Sequence, residues 1–247
     1  MPVAQLDRVP GYEPGGREFE SLRARIRSVM KFLYILIGLL FSGLNAACVQ
    51  ETMSPAQQQQ YVRSGTYQQD IATSTERFNQ DVLHWEMKTK PLGPLSNFVM
   101  VFDVDETLLS NMPYLMSAGF EPTVQGFYQS LGVLSAEPIE PVLKMLKSLA
   151  HKGYRVVILT ARRAKYCDLT KRQLGSVGLT QSDYDQLFCN DTSLDPVPFK
   201  RSIIQRYTQQ GLQVVMNVSD QCAELADKAI PIQAKLPNPF YKIVTCA

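Results

Sequence analysis

The chain has 247 residues, of which 45% are hydrophobic and 19% charged, so it can bury a sizeable core and global disorder is excluded. That length predicts one domain with at most a small appendage. A net charge of +2, with no run of basic residues interleaved with aromatics, excludes a nucleic-acid binder or an acidic-substrate specialist that works through its overall field.

Residues 1–29 are rich in Gly, Pro, Arg and Glu and show no periodicity. Met30-Lys31 then precedes an apolar run from Phe32 to Phe41, followed by Ser42-Gly43-Leu44-Asn45-Ala46-Ala47-Cys48. The run is too short to span a bilayer and fits the apolar core of a secretory signal peptide. Residues 1–29 are therefore expected to be a mis-assigned upstream extension, with translation starting at Met30 and a signal peptide over 30–47. The stretch Gly16 to Leu22 also reads like a translated transfer-RNA gene. Leu44 to Cys48 resembles a lipoprotein signal with Cys48 as the acylated residue, although Asn45 stands where a Leu is usual. Plain export after ordinary cleavage is the alternative. Either way the mature chain is expected outside the cytoplasm, in the periplasm, at the outer membrane through a lipid anchor, or secreted.

Cys167, Cys189, Cys222 and Cys246 are even in number, and in an oxidising compartment that predicts two disulfides with three pairings open. Four buried free thiols are the alternative. No two lie at C-x-x-C spacing, which argues against a zinc ribbon. Residues 48–66, with Gln57 to Gln60, read as a polar tether or a frayed helix start. From Tyr67 helical spacing appears: Ile71, Phe78, Val82 and Trp85 share one face, and the helix ends before Pro91-Leu92-Gly93-Pro94.

Phe98 to Phe102 carries no charge, Gly or Pro and reads as a buried strand. Asp103 and Asp105 follow at i and i+2, on one side of an extended backbone. Two carboxylates side by side at a strand end repel each other unless neutralised, and a divalent cation is the usual answer. Beyond them strands and helices alternate. Pro141 to Lys152 is a helix closed by Gly153, Tyr154 to Thr160 a strand, and Ala164 to Val177 a helix. Tyr184 to Cys189 is a short strand, Phe199 to Gln209 a helix and Leu212 to Asn217 a strand. Gln221 to Lys228 is a short helix and Lys228 to Ile232 a last strand. This alternation predicts an open, mostly parallel sheet with helices on both faces, and ligands at the carboxyl ends of the strands. Those ends bring Asp103, Asp105, Thr160-Ala161-Arg162, Lys200, Asp220 and Glu224. Carboxylates, a hydroxyl and an ammonium are what phosphoryl transfer to an aspartate needs.

The set resembles the haloacid dehalogenase (HAD) superfamily of aspartate-nucleophile phosphatases. Asp103-Val104-Asp105-Glu106-Thr107-Leu108-Leu109-Ser110-Asn111 resembles its subfamily IIIB, the class B and class C acid phosphatases. That branch includes bacterial outer-membrane acid phosphatase lipoproteins and plant vegetative storage proteins. Ser219-Asp220-Gln221-Cys222-Ala223-Glu224-Leu225 is similar to the branch's Gly-Asp-Gln-x-x-Asp-Leu, and Lys235-Leu236-Pro237-Asn238-Pro239-Phe240-Tyr241 to its Lys-Leu-Pro-Asn-Pro segment. The resemblance implies an α/β, HAD-like Rossmannoid three-layer fold with a mostly parallel sheet and a small cap, about residues 112–138, inserted after the first strand.

It also implies roles. Asp103 is the nucleophile and a metal ligand. Asp105 is the general acid and then base, with its backbone carbonyl on the metal. Thr160 and the Ala161 amide hold the phosphoryl group, and Lys200 neutralises it. Asp220 and Glu224 bind one Mg²⁺ per chain, the latter directly or through water. The implied activity is that of an exported Mg²⁺-dependent acid phosphatase acting on small phosphomonoesters, 5′-nucleotides among them, with no nucleic-acid partner. Cap aromatics Tyr114, Phe120, Phe127 and Tyr128 are candidates to stack a substrate ring. Ser219 stands where the family has Gly and Glu224 where it has a second Asp, and these departures motivate a second reading: a surface lipoprotein that binds a ligand on the same fold but turns over poorly. Other chemistries lack residues. His84 and His151 are the only histidines, and neither a G-x-x-x-x-G-K-[ST] loop nor a C-x5-R signature occurs.

Overall fold

The computed structural model describes residues 53–192 and 195–242, all within one compact unit. The expected upstream extension, the signal peptide, the lipidation site at Cys48 and the fourth core cysteine, Cys246, lie outside the described residues. Among the described residues no helix is long and apolar enough to cross a membrane.

The segment read as a tether or a frayed helix start holds a helix, α1 (Pro55–Arg63). Its polar composition hides strong start signals. Ser54 caps the N-terminus, the Gln57 side chain reaches back to the Ser54 amide, and Pro55 occupies the first turn. Its Gln58 is buried and donates through Nε2 to the Pro239 carbonyl at 2.9 Å, which ties the helix to the far end of the chain. Helix α2 (Thr66–Thr89) buries Tyr67, Ile71, Phe78, Val82 and Trp85, the face that the spacing predicted. Trp85 meets Phe98 edge-on, with ring centroids 5.3 Å apart.

Phe98 opens the central strand, β1 (Phe98–Phe102), which is buried throughout. A two-stranded antiparallel neck follows, β2 (Leu109–Ser110) with β3 (Glu137–Pro138), enclosing the short helices α3 (Met112–Ser117) and α4 (Val124–Ser130) of the cap. Next come α5 (Glu140–Lys152), β4 (Arg155–Arg163), α6 (Cys167–Ser176), β5 (Gln186–Asn190), α7 (Pro196–Gln209), β6 (Gln213–Ser219) and β7 (Ile232–Lys235). The Gly153 C-cap at φ 102 turns the chain out of α5, in a left-handed conformation that an L side chain rarely adopts. Two predicted elements shift. The helix expected over 221–228 is a single 3-10 turn, Cys222–Leu225, and the last strand starts at Ile232 rather than Lys228. Pro231 explains the second shift, because it has no N–H for the ladder.

The five main strands are parallel in the order β5-β4-β1-β6-β7. The chain leaves β1 to one side, through β4 and β5, and returns to the other, through β6 and β7. The carboxyl end of β1 is thus where the direction of winding reverses, the crevice that open α/β sheets use for ligands. Strand alternation sorts β1 between two cores. Phe98, Met100 and Phe102 join the core with α2 and α5, and Val99 and Val101 the core with Phe199, Ile203, Ile204 and Tyr207 of α7. This gives the three layers.

Cys167 at the start of α6 is disulfide-bonded to Cys189 on β5, one of the pairs the count left open. Cys222 is disulfide-bonded as well. In register Cys189 lies beside Thr160, so the bridge clamps the strand end that carries the hydroxyl. The cross-link spans 22 residues, and in the chain-entropy account a loop of that length stabilises by about 3 kcal/mol. Replacing Cys167 and Cys189 together by Ser is expected to lower the unfolding free energy in urea by roughly that amount. A loss under about 1 kcal/mol would mean that the reduced unfolded chain retains structure across the loop.

Candidate active site

Everything expected at the strand ends converges beyond the carboxyl edge of the sheet. Asp103 follows β1 directly, and its amide donates to the Val218 carbonyl of β6 at 3.0 Å. The next turn is tight: the amides of Leu108 and Leu109 both return to the Val104 carbonyl, and Glu106 takes a left-handed φ of 49°. That turn aims three acidic side chains within four residues, Asp103, Asp105 and Glu106, at different partners.

Lys200 of α7 donates through Nζ to Asp103 Oδ1 at 2.6 Å and to Glu224 Oε2 at 2.6 Å. Burial alone would lower the Lys200 ammonium; the charges of Asp103 and Glu224 reverse this and hold it above the usual lysine range. Burial raises the Asp103 carboxyl well above its ordinary value, against the pull of Lys200 and with Glu224, Asp220 and Asp105 adding to the rise. Asp220, at the end of β6, is pushed up to about 6 by burial first and the Glu224 charge second. Thr160 is fully buried, and its hydroxyl accepts the Arg162 amide at 3.1 Å. The β4–β5 register slips between Thr160 and Arg163. Such a bulge takes Ala161 and Arg162 out of the regular ladder, and the Arg162 side chain reaches Asp105.

Arg162 lies at a strand end where the sequence points to no role for it, and the structure makes it central. Its guanidinium grips Asp105, with Nη2 to Oδ1 at 2.7 Å and Nε to Oδ2 at 3.0 Å. Nη1 donates to Gln173 and Thr170 of α6. The fork geometry fixes the orientation of the Asp105 carboxylate, which Asn111 Nδ2 also holds at 2.8 Å. The signal was the place of Arg162 in the chain, two residues after Thr160 at a strand end that already carried a candidate site residue. Glu106, also without a role, is buried and accepts from the Asn111 amide at 2.6 Å and from the Tyr241 hydroxyl. Burial first and Asp105 second push it up to about 8.

Glu224 stands near Asp103 and Asp220 and is held by protein donors. Its Oε2 takes Lys200 and also the Ser219 hydroxyl, which donates at 2.7 Å. The two departures from the family pattern therefore touch: the longer acid reaches Ser219, whose hydroxyl a Gly would lack. Among the described residues no three acidic, His or Cys groups stand together as a ready-made metal cluster. The donor set still fits a divalent cation. Asp103, Asp105, Glu106, Asp220 and Glu224 are buried acids, and Arg162 and Lys200 are the buried bases among them. The acids outnumber the bases five to two, and a bound cation would favour their ionised forms against the burial that raises Asp103 and Asp220. Mg²⁺ keeps several waters and takes only one or two carboxylates, so it does not require a protein cage. Asp103 and Asp220, with the Asp105 backbone, would hold it.

Two cap candidates are corrected. Tyr114 is buried, and its hydroxyl accepts the Thr123 amide and donates to the Thr123 carbonyl, so its ring pins the two cap helices together. Phe120 is buried against Phe240 at 5.9 Å. Phe127 and Tyr128 are half-buried. Arg162 lies over the Phe127 ring at 5.8 Å, and Tyr128 stacks on Tyr166 at 4.9 Å. His84 and His151 are exposed.

A family model described as the HAD superfamily, subfamily IIIB (acid phosphatase) matches residues 43–244. Vegetative storage protein 1 of Arabidopsis thaliana is 31% identical over 149 residues, 59% of this chain and 55% of that protein. Acid phosphatase 1 of Solanum lycopersicum is 28% identical over 164 residues, 64% of each chain. The chain thus spans a little over half to about two thirds of the length of the curated relatives it matches. The solved class C acid phosphatase of Bacillus anthracis superposes with a TM-score of 0.60 at 16% identity, over 74% of this chain and 82% of that one, which is a likeness of fold.

Two outcomes follow from the buried charges. Arg162→Leu leaves Asp105 buried and unpaired and should cost about 3–5 kcal/mol in denaturant unfolding, while the double variant Arg162→Leu/Asp105→Asn recovers most of it. Full additivity of the two losses would rule out the pair as a unit. Glu106 has a folded-state pKa raised to about 8, so its contribution is present below its unfolded value and is lost as pH rises through 8. Metal-free Glu106→Gln should therefore gain stability relative to the wild type between pH 5 and 8.5, and a pH-independent difference would contradict this.

Proposed function

The chain belongs to the HAD superfamily, subfamily IIIB, the acid phosphatases, and from that premise we propose that it hydrolyses small phosphomonoesters through a phosphoryl group carried on Asp103. The observation that carries the proposal is the buried Asp103–Lys200 pair at 2.6 Å, two residues before a carboxylate fixed by Arg162.

The substrate phosphate enters at the end of β1, where Lys200, the Thr160 hydroxyl and the Ala161 amide receive its oxygens. The Asp103 carboxylate attacks phosphorus, the ester P–O bond breaks, and Asp105, protonated for this half-reaction, passes its proton to the departing alkoxide. Asp105, now a carboxylate, takes a proton from a water that attacks the same phosphorus. The acyl-phosphate bond breaks, inorganic phosphate leaves and Asp103 is regenerated. Arg162 and Asn111 hold the Asp105 carboxyl in one orientation for both halves. Bound Mg²⁺ supplies electrostatic stabilisation of the charge that accumulates on the phosphoryl oxygens. Burial and the neighbouring carboxylates raise Asp103, and Lys200 opposes that rise while holding the attacking carboxylate against its ammonium.

Tyr128, Phe127 and Tyr166 border the cap side and suit a substrate with a flat ring, 5′-nucleotides included. Export, by lipid anchor or in soluble form, rests on residues 30–48 and on the disulfides. The poorly active ligand-binding alternative was motivated by Ser219 and Glu224; their mutual hydrogen bond and the intact Asp103, Asp105, Thr160 and Lys200 favour the enzyme.

Release of phosphate from p-nitrophenyl phosphate and a 5′-nucleotide panel at pH 5–7, by the chain from residue 49 onward, tests this. Activity should need Mg²⁺, vanish in EDTA and fall by at least about three orders of magnitude in Asp103→Asn. Turnover that survives the substitution would sink the aspartyl-phosphate route, and no turnover by the wild type with any metal would favour the binding protein.

A further inference from the structure

The segment that leaves β7, Leu236 to Tyr241, reaches several parts of the site and has no part in the chemistry above. The Leu236 amide donates to the Ser219 carbonyl at 3.0 Å, which starts the segment beside Asp220. Pro237 and Pro239 flank Asn238, so the backbone on both sides is conformationally restricted. The Pro239 carbonyl accepts from Gln58 Nε2, and Phe240 packs between Tyr67 at 5.1 Å and Phe120 at 5.9 Å. Asn238 itself is buried.

The amide orientation of Asn238 is set by its partners. Its Oδ1 accepts the Phe240 amide at 2.9 Å, so the nitrogen is the group that faces Asp220, and Nδ2 donates to Asp220 Oδ2 at 2.5 Å. Gln221 Nε2 donates to the same oxygen at 2.6 Å. Both donors fall on Oδ2, and no hydrogen bond among the described residues falls on Oδ1. Two donors on one oxygen lock the carboxylate rotation and leave the other oxygen for a cation.

We propose that Asn238 is a positioning residue for the metal centre: held by the proline-flanked strap, its amide fixes Asp220 so that Oδ1 faces the divalent ion. This rests on the metal-dependent reading above. A group that orients a ligand without touching the ion characteristically sets metal affinity by 10–100-fold. Gln221 is adjacent to Asp220 in the chain, whereas Asn238 acts from 18 residues away, so the metal site depends on the strap being docked.

The test is a Mn²⁺ titration of the purified protein, with free Mn²⁺ read by electron paramagnetic resonance and displacement by Mg²⁺ marking the site. Asn238→Ala and Asn238→Leu should each weaken Mn²⁺ binding by about 10–100-fold. The Leu variant nearly preserves side-chain volume and keeps the strap packed should the Ala variant fail to fold. Gln58→Ala, which removes a strap anchor remote from Asp220, should stay within about twofold of the wild type. Asn238 variants that bind as tightly as the wild type would overturn the inference while leaving the metal reading intact. So would an equal loss in Gln58→Ala, because strap packing rather than the donated bond would then be responsible. A wild type that binds no Mn²⁺ would overturn both.

Discussion

The constraint on which the rest of this molecule depends is the crowding of buried carboxylates at one end of one strand. Asp103, Asp105 and Glu106 follow β1, and Asp220 and Glu224 approach from β6. Removing so many acids from water is costly unless cations and donors meet them. Each surrounding element answers one of them. Helix α7 delivers Lys200 to Asp103 and Glu224, the bulge in β4 delivers Arg162 to Asp105, and the strap delivers Tyr241 to Glu106 and Asn238 to Asp220. A divalent ion would add the cationic partner that favours the ionised forms of Asp103 and Asp220.

This arrangement divides the acids by environment rather than by type. Asp103 is paired with an ammonium that a phosphate could also engage, which suits the nucleophile proposed above. Asp105 is held in a rigid fork, which suits a group that must shuttle a proton in a constant orientation. Glu106 is locked away from the crevice on Asn111 and Tyr241 and stabilises the turn itself. Ser219 and Glu224 depart together from the family pattern and hydrogen-bond to each other, so the site absorbs a longer acid without losing the contact to Lys200.

The cap shows why residue type alone is a poor guide to substrate contact. Tyr114 and Phe120 were the aromatics nearest in sequence to the first acidic turn, yet both are consumed by packing, one across the cap helices and one against Phe240. Phe127 and Tyr128 keep partial exposure and meet Arg162 and Tyr166, which come from β4 and the turn after it, 35 and 38 residues further on. Period and composition cannot report that meeting, because it is made by the strand register.

By itself the sequence determined the alternation of strands and helices, the buried face of α2, the central strand and the acids, hydroxyl and lysine at the strand ends. These follow from local periodicity and from polar residues placed where an apolar run stops, both of which are encoded within a few residues. It left α1 open between a polar tether and a frayed helix start, because a capping box on a glutamine-rich segment looks like a polar linker until a buried partner such as Pro239 is known. Only the tertiary structure decided that Arg162 holds Asp105, that Cys167 pairs with Cys189, that Ser219 and Glu224 touch, and that Asn238 turns its amide nitrogen to Asp220. Those pairings join residues far apart in the chain or depend on a bulge and a proline-flanked bend, and only the folded backbone fixes which polar groups face each other away from water.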